Sequence, residues 1–261
     1  MKQRTLTSVV LALLSMVLLG CFHLPWVPQL IAILLGCGAV WEILGANGIR
    51  NKGSYAAGLF LAVIIPLFSL TEKVWWMAAA LVLGLGFFTY LMTRIGKQAP
   101  AWVAASEIVL ALSLYRGLAC YGEIPHGAFF LCLTGLICAL TDIFAYLVGS
   151  RFGRRKLAPK VSPGKSIEGA LGGLGITVVL IVLVFGRFFD DIGTLVLYTA
   201  VVSILGQFGD LSMSAVKRVA GVKDFGHIFP GHGGILDRCD SLMYPLAFTW
   251  LLYCAQIWIF V

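Results

Sequence analysis

Charge is what this sequence has least of. Asp, Glu, Lys and Arg make up 12% of its 261 residues, against about 25% in a soluble globular domain. Acids are the scarcer sign, 12 against 19 Lys and Arg, beside 60% hydrophobic residues. Such a balance excludes a water-soluble domain with a charged shell. No segment alternates apolar and polar residues in strand-length units, which excludes a membrane β-barrel. The seven cysteines (positions 21, 37, 120, 132, 138, 239 and 254) include no C-x-x-C pair. They read as small apolar packing residues and not as a disulfide framework. There is no GxxxxGK[ST], no kinase signature set, no H-E-x-x-H and no G-x-S-x-G. Internal repeats and low-complexity segments are also missing.

What is present is a series of long apolar runs. About 20 such residues cross a bilayer core of about 30 Å. Nine runs are predicted as membrane spans: 5–22, 26–45, 55–71, 74–92, 101–121, 125–149, 167–189, 192–216 and 240–261. The expected fold is therefore all-α, a polytopic integral membrane protein. The expected division is an N-terminal region of five spans, 1–124, and a C-terminal region of four, 125–261, with polar loops at 150–166 and 217–239. Near the start, Leu18-Leu19-Gly20-Cys21 loosely resembles a lipoprotein cleavage box. Leu19 is larger than that box prefers, so an uncleaved first span is favoured.

Basic residues set the orientation. Alternate loops, beginning with the N-terminal segment, hold 16 Lys and Arg, while the intervening loops hold only Lys73 and Arg187. The positive-inside rule then puts the N-terminus in the cytoplasm and the C-terminus outside. The net charge of +7 is mostly topology. It suits lipid headgroups or phosphates and is no sign of a nucleic-acid partner.

Ionisable residues inside such spans are functional candidates by default. In the first five spans these are Glu42, Glu107 and Arg116. Glu107 and Arg116 lie on opposite faces of one helix and do not pair; polar contacts between helices are the plainer reading. Gly169 and Gly173 form a G-x-x-x-G spacing best explained by close helix packing.

The remaining polar residues gather at the cytoplasmic ends of spans six to nine. Asp142 and Tyr146 are i, i+4. Asp210, Ser214 and Lys217 share one helical face. Asp237 and Asp240 are i, i+3. Carboxylates without thiolates or paired histidines suit a hard cation such as Mg²⁺, one ion or two. His227 and His232 lack zinc-site spacing. Gly231, Gly233 and Gly234 permit close backbone approach, and successive N–H groups can cradle phosphate. Lys217, Arg218, Lys223 and Arg238 supply phosphate-binding charge. The turn Ser162-Pro163-Gly164-Lys165-Ser166 offers Lys165 and hydroxyls at a helix N-terminus. Carboxylates for metal, cations for phosphate and a membrane-surface location fit phosphoryl or nucleotidyl transfer to a lipid.

The segment S-A-V-K-R-x4-K-D-F-G-x-x-F-P-G-H-G-G-I-L-D-R-C-D, from Ser214 to Asp240, resembles the signature of phosphatidate cytidylyltransferases (CDP-diacylglycerol synthases). Gln207-x-Gly209-Asp210, the S-P-x-K-S-x-E-G segment and Asp142-x-x-Ala145-Tyr146 are similar to further family motifs, in family order. The resemblance covers residues 140–241. It implies that CTP and phosphatidate give CDP-diacylglycerol and pyrophosphate with Mg²⁺ at the cytoplasmic membrane. By motif position, Asp210 and Asp237 would be the main metal ligands, with Asp142 and Asp240 as nearby acids. Lys217 and Arg238 would serve the chemistry beside them. Ser162, Lys165, Ser166, Ser214, Arg218, Lys223, Asp224, His232, Gly233 and Gly234 would contact substrate.

Four positions depart from the family pattern. Met213 stands where many members carry Glu, Cys239 where they carry a larger aliphatic residue, Gly164 where a polar or basic residue is common, and Ser166 where they carry threonine. None removes a charge assigned above. They leave room for a cytidylyltransferase acting on another lipid phosphate. A membrane lipid transporter is the competing class, and it would place charges near the midplane of both halves. Small-residue packing permits a homodimer without requiring one.

Overall fold

The computed structural model describes residues 17, 20–22, 24, 26–67, 82–84, 86–88, 90–91, 101–226, 228 and 233–256. Among these, the long elements are helices: α1 (Trp26–Ala46), α2 (Lys52–Leu67), α3 (Ala101–Ala119), α4 (Gly127–Phe152), α5 (Ile167–Phe185), α6 (Ile192–Val219), the short α7 (Leu236–Cys239) and α8 (Met243–Cys254). A hydrocarbon environment demands that each backbone polar group be satisfied within its own segment, which a helix does. Five segments are long and apolar enough to cross a membrane: α1, Val103–Gly122, α4, Ile167–Phe188 and α6. Among the described residues α2 and α8 are apolar helices of 16 and 12 residues that overlap the predicted spans 55–71 and 240–261. Most of the first and of the fourth predicted span lies outside the described residues.

The outer faces agree with a lipid surround. Leu171, Leu183 and Leu197 on α5 and α6 are 66%, 75% and 66% exposed. A water-soluble monomer rarely leaves so continuous an apolar surface bare. The protein is a multi-pass integral membrane protein.

Several polar groups between the helices are paired. The hydroxyl of Tyr198 lies 2.8 Å from Thr134 Oγ1 and 3.0 Å from Thr249 Oγ1, linking α4, α6 and α8. Asn47 Nδ2 donates to Glu107 Oε2 at 3.1 Å, and Arg116 Nη1 to Cys120 Sγ at 2.9 Å. Glu107 and Arg116 thus make inter-residue packing contacts and do not meet each other, as their spacing implied.

The α4–α5 pair has the most extensive contact in the fold, and Gly169 and Gly173 account for it. A Cβ at Gly173 would lie 2.6 Å from the Thr141 carbonyl oxygen, and one at Gly169 2.6 Å from that of Ala145. The G-x-x-x-G spacing therefore brings α5 onto the face of α4 that carries Thr141 and Ala145, beside Asp142.

One local expectation needs correcting. Ser162–Ser166 is not a simple turn but strand β2, antiparallel to β1 (Lys156–Ala158), with Lys156 opposite Ser166 and Ala158 opposite Ser162. This two-stranded hairpin is a small exception to the all-α reading. Ser166 ends it and caps α5, its Oγ accepting from Gly169 N at 3.1 Å, as serine does at helix starts.

Candidate active site

Four elements converge at one end of the bundle: α4, the hairpin, α6 and the chain around α7. Asp210 lies on α6, and Lys165 of β2 forms an ion pair with its Oδ2. Ser214, one turn on, donates to Asp210 Oδ1 at 3.3 Å. Asp142 and Tyr146 come from α4, the hairpin adds Ser162, and all line a cleft of about 460 Å³ with Lys165 and Asp210. The Gln207 side chain, one turn before Asp210, ties α6 to α5 by donating to the Ala170 carbonyl at 3.3 Å.

The next turn of α6 carries Lys217. Its Nζ donates to Asp237 Oδ1 at 2.8 Å and lies 5.5 Å from the centre of the Phe225 ring. Asp237 Oδ2 accepts from Phe225 N at 2.9 Å and Gly234 N at 3.0 Å. Burial would raise the Asp237 carboxyl. The hydrogen bond from Lys217 and those two backbone N–H groups outweigh it and hold the group below its ordinary range. The predicted shared face of Asp210, Ser214 and Lys217 is present, and it points at two different acceptors.

Asp240 follows α7. A Cβ at Gly209 would collide with the Asp240 carbonyl oxygen, so the chain at Asp240 lies directly on α6. Asp240 interacts electrostatically with Asp210, Lys217 and Asp237. Asp142 interacts likewise with Lys165 and Asp210. Four acids and two lysines thereby form one continuous charged strip.

Other predicted residues sit differently. Arg218 turns toward protein, its Nε donating to the Val161 carbonyl at 3.2 Å and its Nη1 to that of Val222 at 3.3 Å. It ties the hairpin to the loop after α6. Lys223, Asp224 and Arg238 are exposed on that loop and on α7. Gly233 has a φ of +83°, and a Cβ there would lie 2.9 Å from Asp237 Oδ2. The Gly234 N–H, expected to face a ligand phosphate, is donated to Asp237 instead. His227 and His232 lie outside the described residues. Met213 is packed in the core at 2% exposure, and Cys239 lines a separate apolar cavity with Tyr115 and Leu246.

Glu42 had no partner assignable from sequence. Near the C-terminal end of α1 it is 2% exposed, and its Oε1 and Oε2 accept from Ile235 N at 2.7 Å and Leu236 N at 2.9 Å. The one available signal was an acid inside an apolar run.

Among the described residues, no three acidic, histidine or cysteine side chains form a ready-made metal cluster. That does not conflict with Mg²⁺, which usually takes one or two carboxylates and completes its shell with substrate phosphate and water. A carboxylate offers about four acceptor sites. Asp210 uses two, for Lys165 and Ser214, and Asp237 uses three. Both can still ligate, and Asp210, open to the cleft, has the greater capacity.

Residues 2–255 match the family described as Cytidylyltransferase family. The chain is similar to the phosphatidate cytidylyltransferase of Staphylococcus haemolyticus, 37% identical over 257 residues that cover 94% of this chain and 96% of the relative. It is similar to that of Staphylococcus epidermidis at 36% identity, with the same shares covered. The Staphylococcus aureus protein of the same name is 35% identical, again over 94% of this chain and 96% of its own length.

Proposed function

The chain belongs to the cytidylyltransferase family, and on that premise we propose that it is a phosphatidate cytidylyltransferase, converting CTP and phosphatidate to CDP-diacylglycerol and pyrophosphate. The observation that carries this reading is the charged strip: two lysines held against two aspartates, beside a cleft large enough for polar ligand groups, at the end of a membrane bundle.

The reaction needs no strong base. A phosphomonoester has a second pKa near 6, so the phosphatidate oxygen is already a nucleophile at neutral pH. It attacks the α-phosphorus of CTP; the bond from that phosphorus to the bridging oxygen breaks, and pyrophosphate leaves with its electron pair. The obstacle is repulsion between two anions. Lys165 and Lys217 sit where each can exchange its aspartate for a phosphate, and exposed Lys223 and Arg238 can draw the nucleotide in. Mg²⁺, held by Asp210 and Asp237 with Asp142 or Asp240 close by, would add charge neutralisation and stabilise departing pyrophosphate. Ser162 supplies a hydroxyl at the cleft, and Ser214 one against Asp210.

Residues 1–124 would act as the lipid-side scaffold and 125–261 would carry the reacting groups. The distribution of basic residues supports nine spans, a cytoplasmic N-terminus and a site on the cytoplasmic face of the cell membrane, where CTP is available. A reporter fused after Val261 should then be exposed outside the cell; a cytoplasmic C-terminus would refute that topology. Close packing through small residues is compatible with a homodimer. The activity itself is tested with purified protein, labelled CTP, Mg²⁺ and a panel of lipid phosphates. Labelled CDP-diacylglycerol from phosphatidate is the expected product. Product only from a non-glycerol lipid phosphate would move the assignment to another acceptor.

A further inference from the structure

We infer that Glu42, on a helix of the N-terminal half, is a positioning residue for the reaction, holding the turn that carries Asp237 and, through Asp237, fixing Lys217. The inference rests on the functional reading above and adds a residue that its motifs do not contain.

Three consecutive backbone N–H groups, at 234, 235 and 236, are all bound by carboxylates. Gly234 N donates to Asp237 Oδ2 at 3.0 Å, Ile235 N to Glu42 Oε1 at 2.7 Å and Leu236 N to Glu42 Oε2 at 2.9 Å. Both Glu42 oxygens are therefore in use, one for each N–H. The site leaves room for nothing larger. A Cβ at Gly226 would lie 2.8 Å from Glu42 Oε1, and one at Gly234 would overlap the same carboxylate. Gly38, one helical turn before Glu42, meets Ile235 in the same way, a Cβ there falling 2.6 Å from Ile235 Cδ1. Helix α1 is thus shaped to Gly226 and to residues 234–236, with the carboxylate at the centre.

The mechanical consequence follows directly. The 235–236 backbone immediately precedes Asp237, whose Oδ1 receives Lys217 at 2.8 Å. A displaced 235–236 backbone moves the Asp237 carboxylate, and Lys217 loses its anchor. Lys165 pairs with Asp210, two turns earlier on α6, and among the described residues neither has a hydrogen bond to this turn. Glu42 touches no reacting atom; it acts through Asp237. Misplacement of a reacting group by about 1 Å can lower a rate about 100-fold, so a contact this remote can govern turnover. A glutamine keeps one acceptor oxygen and sets an amide N–H₂ against a backbone N–H. An aspartate keeps both oxygens on a shorter arm.

The test uses the full-length protein in detergent as wild type, Glu42→Gln and Glu42→Asp. Each is treated with an amine-acylating reagent, and modification of Lys217 and Lys165 is followed by mass spectrometry alongside CDP-lipid formation. In E42Q, Lys217 should acylate several-fold faster while Lys165 keeps its wild-type rate, and turnover should fall by about 100-fold; E42D should recover part of both. Wild-type labelling of Lys217 in E42Q, wild-type turnover, or equal gains at both lysines would overturn the inference, the last because it signals general loosening. If E42Q does not fold, Gly234→Ala presses on the same carboxylate and must give the same selective labelling; if it does not, the inference fails. A wild-type protein that makes no CDP-lipid would refute the functional reading, while the labelling still decides whether Glu42 holds this turn.

Discussion

Lys217 and Asp237, 20 positions apart, meet at 2.8 Å with side chains 12% and 4% exposed. Breaking so desolvated a pair from one side is expensive, because the remaining charge stays buried without a counterpart; such losses run to about 3–5 kcal/mol. Asp237→Ala also strips the acceptor from Phe225 N and Gly234 N. We expect it to lower stability by about 3 kcal/mol or more, measured by denaturant unfolding in detergent, and to abolish CDP-lipid formation. Near-wild-type stability would show that the pair carries little weight.

The Lys165–Asp210 pair behaves differently. Its side chains are 27% and 26% exposed, so solvent screens it and its contribution to folding is about 1 kcal/mol or less. Lys165→Ala should leave the melting temperature nearly unchanged yet lower kcat about 100-fold, the scale for removing one charge stabiliser at a reacting centre. An unfolded variant, or an active one, would contradict this separation of roles.

Stability should also report on Asp237 through pH. Its carboxyl is held below the ordinary value of 3.8 by Lys217 and two backbone N–H groups, despite burial. A depressed carboxylate stabilises the fold above its unfolded pKa, and that contribution is lost as pH falls through the lower folded pKa. The stability difference between wild type and Asp237→Asn should therefore be constant at neutral pH and shrink on acidification below the ordinary carboxylate value. A difference that grows on acidification would contradict the assigned direction.

Packing between α4 and α5 gives a sharper contrast. A Cβ at Gly173 would meet the Thr141 carbonyl oxygen at 2.6 Å, while Gly175, two residues on, has nothing within 4 Å. Gly173→Leu should destabilise by about 1–3 kcal/mol or more through overpacking and open the cleft near Asp142. Gly175→Leu, facing outward, should be tolerated. Thermal unfolding of the two variants side by side checks this, and equal effects would contradict the packing.

These residues also mark how far the sequence could be read. Long apolar runs and the glycine spacing at 169 and 173 carried most of the helical fold, because periodicity and small residues encode local geometry. The i, i+4, i+7 face of Asp210, Ser214 and Lys217 was legible for the same reason. Which acceptor each group would meet was not. Lys165 reaches Asp210 through a hairpin that the Ser162–Ser166 residues do not announce, and Arg218 is drawn to backbone carbonyls. Glu42 accepts from Ile235 and Leu236 across 193 and 194 positions, a relation no local spacing rule can express.

The most direct measurement of the proposed chemistry is the fate of each CTP phosphorus. Purified protein, phosphatidate and Mg²⁺ are incubated with CTP labelled at the α-phosphorus or, separately, at the γ-phosphorus, and lipid and water-soluble products are separated. Transfer of the α-label into CDP-diacylglycerol and release of the γ-label in pyrophosphate is the predicted result. A γ-label found in lipid, or no label in lipid from either CTP, would contradict it.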